Sequence, residues 1–146
     1  MFTKRLTNWI GGASRSRRAK RTRGVAAAEL AVCLPVVVLI VIATIEACSA
    51  LFLKQSLTSA AYEGVRTALA DRETPGSVQA ACNQVLKDRS IKSAKITIKP
   101  ANIALLKPGD FIDVTVSAPC SANSVVPATF YRGKTLSATA SMMVEN

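Results

Sequence analysis

Chemistry needs groups that move protons, hold metals or attack, and this chain carries few of them. It contains no histidine, which removes the commonest general base near neutral pH and the commonest zinc ligand. The four cysteines, Cys33, Cys48, Cys82 and Cys120, include no CxxC pair or other metal-site spacing. Asp71, Glu73, Asp88, Asp110 and Asp113 are scattered, with no nucleophile motif or glycine-rich phosphate loop beside them. No enzymatic function is expected, and no catalytic, cofactor or metal residue is assigned. Two other acids stand out by their surroundings. Glu29 follows Gly24-Val25-Ala26-Ala27-Ala28, with cations before the glycine and unbroken apolar sequence after the acid. Glu46 interrupts the same apolar run near its far end. A charge at the bilayer centre costs at least about 2.5–3.5 kcal/mol, less near an interface, and is usually paired. The bland alternative for Glu29 is solvation at the cytoplasmic headgroup level.

The charge distribution fixes what the leader is for. The formal charge is +10 over 146 residues, yet eight of the nineteen basic residues precede Gly24 with no acid among them. After Gly24 eleven basic residues face nine acids, a balance of +2. The excess thus belongs to residues 1–24 and not to a folded basic surface. Aromatics are few and none lies within the Arg15–Arg23 cluster as a base-stacking platform requires, so no nucleic-acid partner is expected.

From Val25 to Leu53 the sequence is apolar apart from the two glutamates. As a helix this stretch is about 44 Å long, more than a hydrocarbon core of about 30 Å, so part of it must tilt or emerge. Val36–Ile42 is β-branched apart from Leu39, which favours a strand in water. In lipid a lone strand leaves its backbone groups unpaired, and a helix results. Pro35 is expected to kink it. Only Lys54 and Arg66 follow the apolar run closely, so the basic N-terminus stays in the cytoplasm and the segment after Leu53 crosses. A cleaved secretory signal fits less well, since its core is only about 7–15 residues long. The lipoprotein and twin-arginine patterns fit poorly at Leu-Ala-Val-Cys33, Ile-Glu-Ala-Cys48 and Ser16-Arg17-Arg18. An Arg-rich organelle presequence is a further alternative.

Gly24 ending a basic leader, with Glu29 fifth after it, resembles the processing site of type IV pilin-like precursors. That resemblance implies a cut between Gly24 and Val25 by a membrane prepilin peptidase. The new amine on Val25 then lies one helical turn from Glu29, and a neighbouring subunit's amine can neutralise that acid in lipid. Glycine also offers a protease an extended, unhindered backbone. A wider stretch, Arg23-Gly-Val-Ala-Ala-Ala-Glu-Leu-Ala-Val-Cys-Leu-Pro35 with Ile45-Glu46, resembles the TadE-like family, pseudopilins of the tight-adherence pilus. Ala60-Ala61-Tyr62-Glu63-Gly64-Val65-Arg66 is similar to the family's Glu-Gly-x-Arg element, and Thr135–Glu145 to its closing strand. Leu30, Ala47 and Tyr62 depart from its common residues. The resemblance implies other pilins and a pilus assembly platform as partners. Glu46, about 25 Å beyond Glu29 along a helix, is expected to reach the outer headgroups, with pairing to Lys54 or to a partner subunit as alternatives.

Residues 54–146 read as an extracytoplasmic domain. Lys54–Ala70 continues the helix, with Leu57, Ala60, Ala61, Gly64, Val65, Ala68 and Leu69 forming one packing face. Glu63 and Arg66 form a surface pair. Asp71–Gly76 is a break with Pro75-Gly76 as its turn, and Ser77 caps a second helix through about Arg89. Lys95–Lys99, Phe111–Ser117 and Leu136–Val144 alternate as strands, with Pro108-Gly109-Asp110 turning into the middle one. Pro119–Gly133 reads as loop. The expected fold is α+β: a long N-terminal transmembrane helix leading into about two helices and a three-stranded antiparallel sheet. Cys82 and Cys120 are expected either to form a disulfide, worth about 2–4 kcal/mol, or to stand as two buried thiols. Cys33 and Cys48 read as small packing residues.

Two functions follow as expectations. One is a pilus-associated structural subunit in the bacterial inner membrane, processed after Gly24. The other is an uncleaved, single-pass periplasmic scaffold or binding protein.

Overall fold

A computed structural model of the protein describes residues 15–71, 74–125 and 130–145, with side chains from Gly24 onward other than Asp71 and Ala104. The start of the leader, Glu73 and part of the Pro119–Gly133 segment lie outside the described residues. The elements run α1 (Arg15–Asp71), α2 (Pro75–Asp88), β1 (Lys95–Lys99), a 3-10 turn (Ile103–Leu105), β2 (Phe111–Pro119), α3 (Cys120–Asn123) and β3 (Thr135–Met143). The chain divides into two units, one ending at Val41 and the other beginning at Ile42.

In the first unit, every residue from Gly24 to Val41 is exposed, including Leu30, Val32, Leu39 and Ile40. The β-branched run is helical, and the helix continues on both sides of Pro35. A helix apolar on every side belongs in a bilayer or in the core of an assembly. This one is long and apolar enough to cross a membrane.

In the second unit the helix changes character. Leu53, Leu57, Ala60, Ala61, Val65 and Ala68 are fully buried along one stripe. The spacing is the i, i+3, i+4 pattern that a helix needs to cover a sheet. Beneath lies a three-stranded antiparallel sheet in the order β1-β2-β3. Ile98 pairs with Val114, and Val114 with Ala140, so the inward faces of all three strands are apolar. The outward face is polar apart from the exposed Phe111–Met143 pair at one end, and it includes a 2.8 Å hydrogen bond between Thr115 and Thr139, a cross-strand pair of the kind that stabilises sheets. The turn before β2 is closed by Asp110, which accepts a hydrogen bond from Lys107 N at 2.8 Å. Gly109 has a φ of +96°, a conformation that glycine adopts without strain. The α+β class is as the sequence pattern indicates.

Three details differ. Pro75 and Gly76 begin α2 instead of turning before it, and Thr74 occupies the N-cap position. Proline suits the first turn because its missing N–H has no helical partner there anyway. Ser77 Oγ donates to Thr74 O at 2.8 Å instead of capping the helix. β2 runs on to Pro119, two residues past the expected strand, and leads directly into α3, which lies inside the segment expected to be loop.

Gly64 is where the layers meet most closely. A Cβ there would collide with Cys82 Sγ on α2 and approach Val114 Cγ1 on β2 at 3.2 Å. Cys82 Sγ donates to Ala60 O at 3.3 Å, so the thiol occupies the space that glycine leaves. Gly64→Ala is expected to destabilise this unit by about 1–3 kcal/mol, the usual range for overpacking. Denaturant unfolding checks this, and the loss should shrink when Cys82→Ala accompanies it; equal losses in both backgrounds would refute the contact.

Candidate functional site

Gly24, Val25 and Glu29 lie in α1 and are exposed. A Cβ on Gly24 would meet nothing within 4 Å, so its glycine is not required for packing within the chain. The Gly24–Val25 peptide bond is helical, not extended. Glycine costs about 1 kcal/mol relative to alanine inside a helix, which makes this a position where the helix opens easily. Glu29, four residues beyond Val25, sits one turn further along the same face.

Glu46 does not extend into its surroundings as a side chain reaching for headgroups would. It is only 2% exposed, and backbone N–H groups bind its carboxylate. Phe130 N donates to Oε1 at 3.0 Å and to Oε2 at 3.1 Å. Tyr131 N donates to Oε1 at 2.9 Å. Two adjacent N–H groups thus converge on one carboxylate, and hydrogen bonds of this charge-assisted kind are short and strong. Lys54, one of the alternative partners for Glu46, donates to Ser137 O on β3.

The segment that binds Glu46 is itself held in place. Lys134 N donates to Tyr131 O at 3.2 Å, and Lys134 Nζ stands 5.2 Å above the Tyr131 ring. Cys120 N donates to Lys134 O at 2.9 Å, which fixes the start of α3 beside β3. Glu46, Leu53, Cys120 and Tyr131 surround a gap of about 10 Å³, space for about one water and no ligand.

Sequence reasoning did not assign Phe130 and Tyr131 to this contact, and a hydrogen bond made by backbone leaves no trace in side-chain type. A signal did exist at the other end. Glu46, Ala50, Leu53 and Leu57 recur at helical spacing, so Glu46 begins the buried stripe instead of interrupting the lipid-facing run.

Cys82 and Cys120 are separate buried thiols, not a disulfide. The reason is positional: Cys82 faces Ala60 and Gly64 of α1, whereas Cys120 lies beside Glu46 and Tyr131. Burial pushes the Cys82 thiol up to about 11. Burial also raises Cys120, offset in part by the Lys134 charge. Cys33 and Cys48 are exposed. Glu63 and Arg66 form an exposed pair at 3.7 Å, worth about 0.2–0.5 kcal/mol at most by the measure of helix pairs. Among the described residues no group of three or more His, Cys, Asp or Glu is placed to hold a metal.

The family model described as TadE-like protein matches residues 24–66. The match starts at the glycine, takes in Glu29 and Glu46, and ends at Arg66. No curated protein and no solved structure matches the chain.

Two outcomes follow from this geometry. Glu46→Ala leaves two backbone N–H groups without their acceptor and should cost about 1–3 kcal/mol, read as lower stability together with faster amide exchange at Tyr131. Unchanged exchange there would contradict the clamp. The raised Cys82 pKa means that the folded state holds its proton more tightly. Its contribution to stability is therefore complete below about pH 9, the thiol's ordinary value, and declines until about pH 11. Cys82→Ala should flatten that part of the pH–stability curve.

Proposed function

We propose, on the premise that residues 24–66 are TadE-like, that this chain is a non-enzymatic minor pilin or pseudopilin of a tight-adherence pilus, held in the bacterial inner membrane and cut after Gly24. The family is that of a pilus system, and the helix has the composition of a membrane anchor. The observation that carries the reading is Glu29 on a helix exposed and apolar on every side, five positions past a glycine that ends a basic leader.

The buried Glu46 defines the span. Residues 25–45 rise about 31 Å as a helix, close to the roughly 30 Å hydrocarbon core. The excess length of the apolar run lies beyond Glu46 and packs into the folded unit. The cations before Gly24 favour a cytoplasmic N-terminus, which leaves residues 46–146 in the periplasm.

Cleavage by a prepilin peptidase turns Val25 into a terminal amine. Glu29 then accepts the amine of a neighbouring subunit, and the two charges neutralise each other where water is scarce. The partners are the peptidase, other pilins and the assembly platform, and the output is pilus assembly, adhesion or secretion. A second reading, an uncleaved single-pass periplasmic scaffold, draws support from the helix that runs unbroken from Arg15 through Gly24.

N-terminal sequencing of the protein from its native host separates the two: Val25 at the start supports the first, Met1 the second. Glu29→Ala should leave processing largely intact and impair assembly. Normal pili in that mutant would remove Glu29 from the mechanism.

A further inference from the structure

An open groove of about 650 Å³ lies along the Ile45–Phe52 part of α1, bounded by the α2–β1 turn and by Val125 after α3. Its floor is apolar and uncovered: Ile45 is 39% exposed, Phe52 51% and Val125 83%. Arg89 and Lys92 stand exposed in its lining. Neither has an ion-pair partner among the described residues. The groove thus pairs hydrocarbon with positive charge, and among the described residues no acid pairs with either cation.

The wall that carries the cations is firmly built. Ile91 N donates to Leu86 O at 2.8 Å, and Ser90 N to Lys87 O at 2.9 Å. Asn123 clasps the turn from α3: its Oδ1 accepts from Lys92 N at 2.7 Å and its Nδ2 donates to Lys92 O at 3.0 Å. Nδ2 also donates to Pro119 O at 2.9 Å. The Lys92 backbone is fixed by these bonds, and Arg89 and Lys92 are both carried on the rim of the groove.

The floor also continues the apolar helix. Ile45, Cys48 and Phe52 follow one another at helical spacing directly after the all-round exposed stretch.

We propose that the groove seats one anionic phospholipid of the membrane in which the chain is anchored. The phosphate lies between Arg89 and Lys92, and an acyl chain runs along Ile45, Phe52 and Val125. The charge of the headgroup complements the two cations. Aliphatic chain covers apolar surface that water solvates poorly. The bound lipid fixes the height of the folded unit at the bilayer surface. This inference rests on the membrane-anchor reading given above.

The test uses the full chain in vesicles and in detergent. Native mass spectrometry of the detergent-purified protein, titrated with dioleoyl phosphatidylglycerol or dioleoyl phosphatidylcholine, should show one retained anionic lipid and little of the zwitterionic one. Arg89→Ala with Lys92→Ala should weaken retention roughly 10- to 30-fold, as expected for two cations at a headgroup. Both side chains are exposed, so the fold should survive, as thermal unfolding will show. Free glycerol phosphate should not displace the lipid; if it does, the site recognises a soluble anion and the lipid assignment is overturned. Equal retention of the two lipids, or a double variant that binds like the wild type, overturns it as well. Alkaline carbonate extraction of the vesicles reads the anchor independently. A chain that stays in the pellet without preferring anionic lipid overturns the lipid seat alone, whereas one released to the supernatant overturns the anchor reading beneath it.

Discussion

A helix with apolar side chains on all sides and a helix with one apolar stripe need different surroundings, and α1 contains both in sequence. Lipid or a bundle of partner helices suits the first part, because its backbone polar groups are already paired and its surface offers water nothing. The second part needs a sheet and a second helix to cover one face. The change occurs at Glu46, whose carboxylate is bound by the backbone of Phe130 and Tyr131. That contact ties the segment before β3 to the first residue of the buried stripe. A buried carboxylate with backbone donors is stable only while the segment carrying those donors stays in place. Glu46 therefore couples the folding of the sheet to the point where the helix begins to pack.

The same logic explains the role of small residues along α1. Ala60, Ala61 and Gly64 let α2 and β2 approach closely. Gly64 lies within the Glu63-Gly64-Val65-Arg66 element that carries part of the family resemblance. In the structure the charged members form an exposed pair of small energetic weight, while the glycine carries the packing. The glycine of that element is thus a requirement for close contact.

Much of this was legible in the residues. Periodicity of 3.6 and then of 2 located the helices and the three strands, because each element buries one face and the pattern records that burial. The turn at Pro108-Gly109-Asp110 was equally plain. The burial of Glu46 is not legible because hydropathy treats it as the end of a greasy run, whereas backbone donors 84 and 85 residues away bind it. The start of α2 was misplaced for a similar reason: Pro-Gly is a common turn pair, and only the backbone of Thr74 shows the proline at the first turn. The two outer cysteines were open to either reading, since sequence does not reveal that one faces α1 at Gly64 and the other the Tyr131 segment.

The central claim is that α1 passes through lipid between Val25 and about Ile45, with everything after Glu46 on the far side. Ser141 is exposed on the outer face of β3, so a cysteine there reports sidedness without disturbing the core. In intact spheroplasts expressing Ser141→Cys in a Cys48→Ser background, a membrane-impermeant thiol reagent added outside should label the protein fully. Labelling that appears only after lysis would contradict the account.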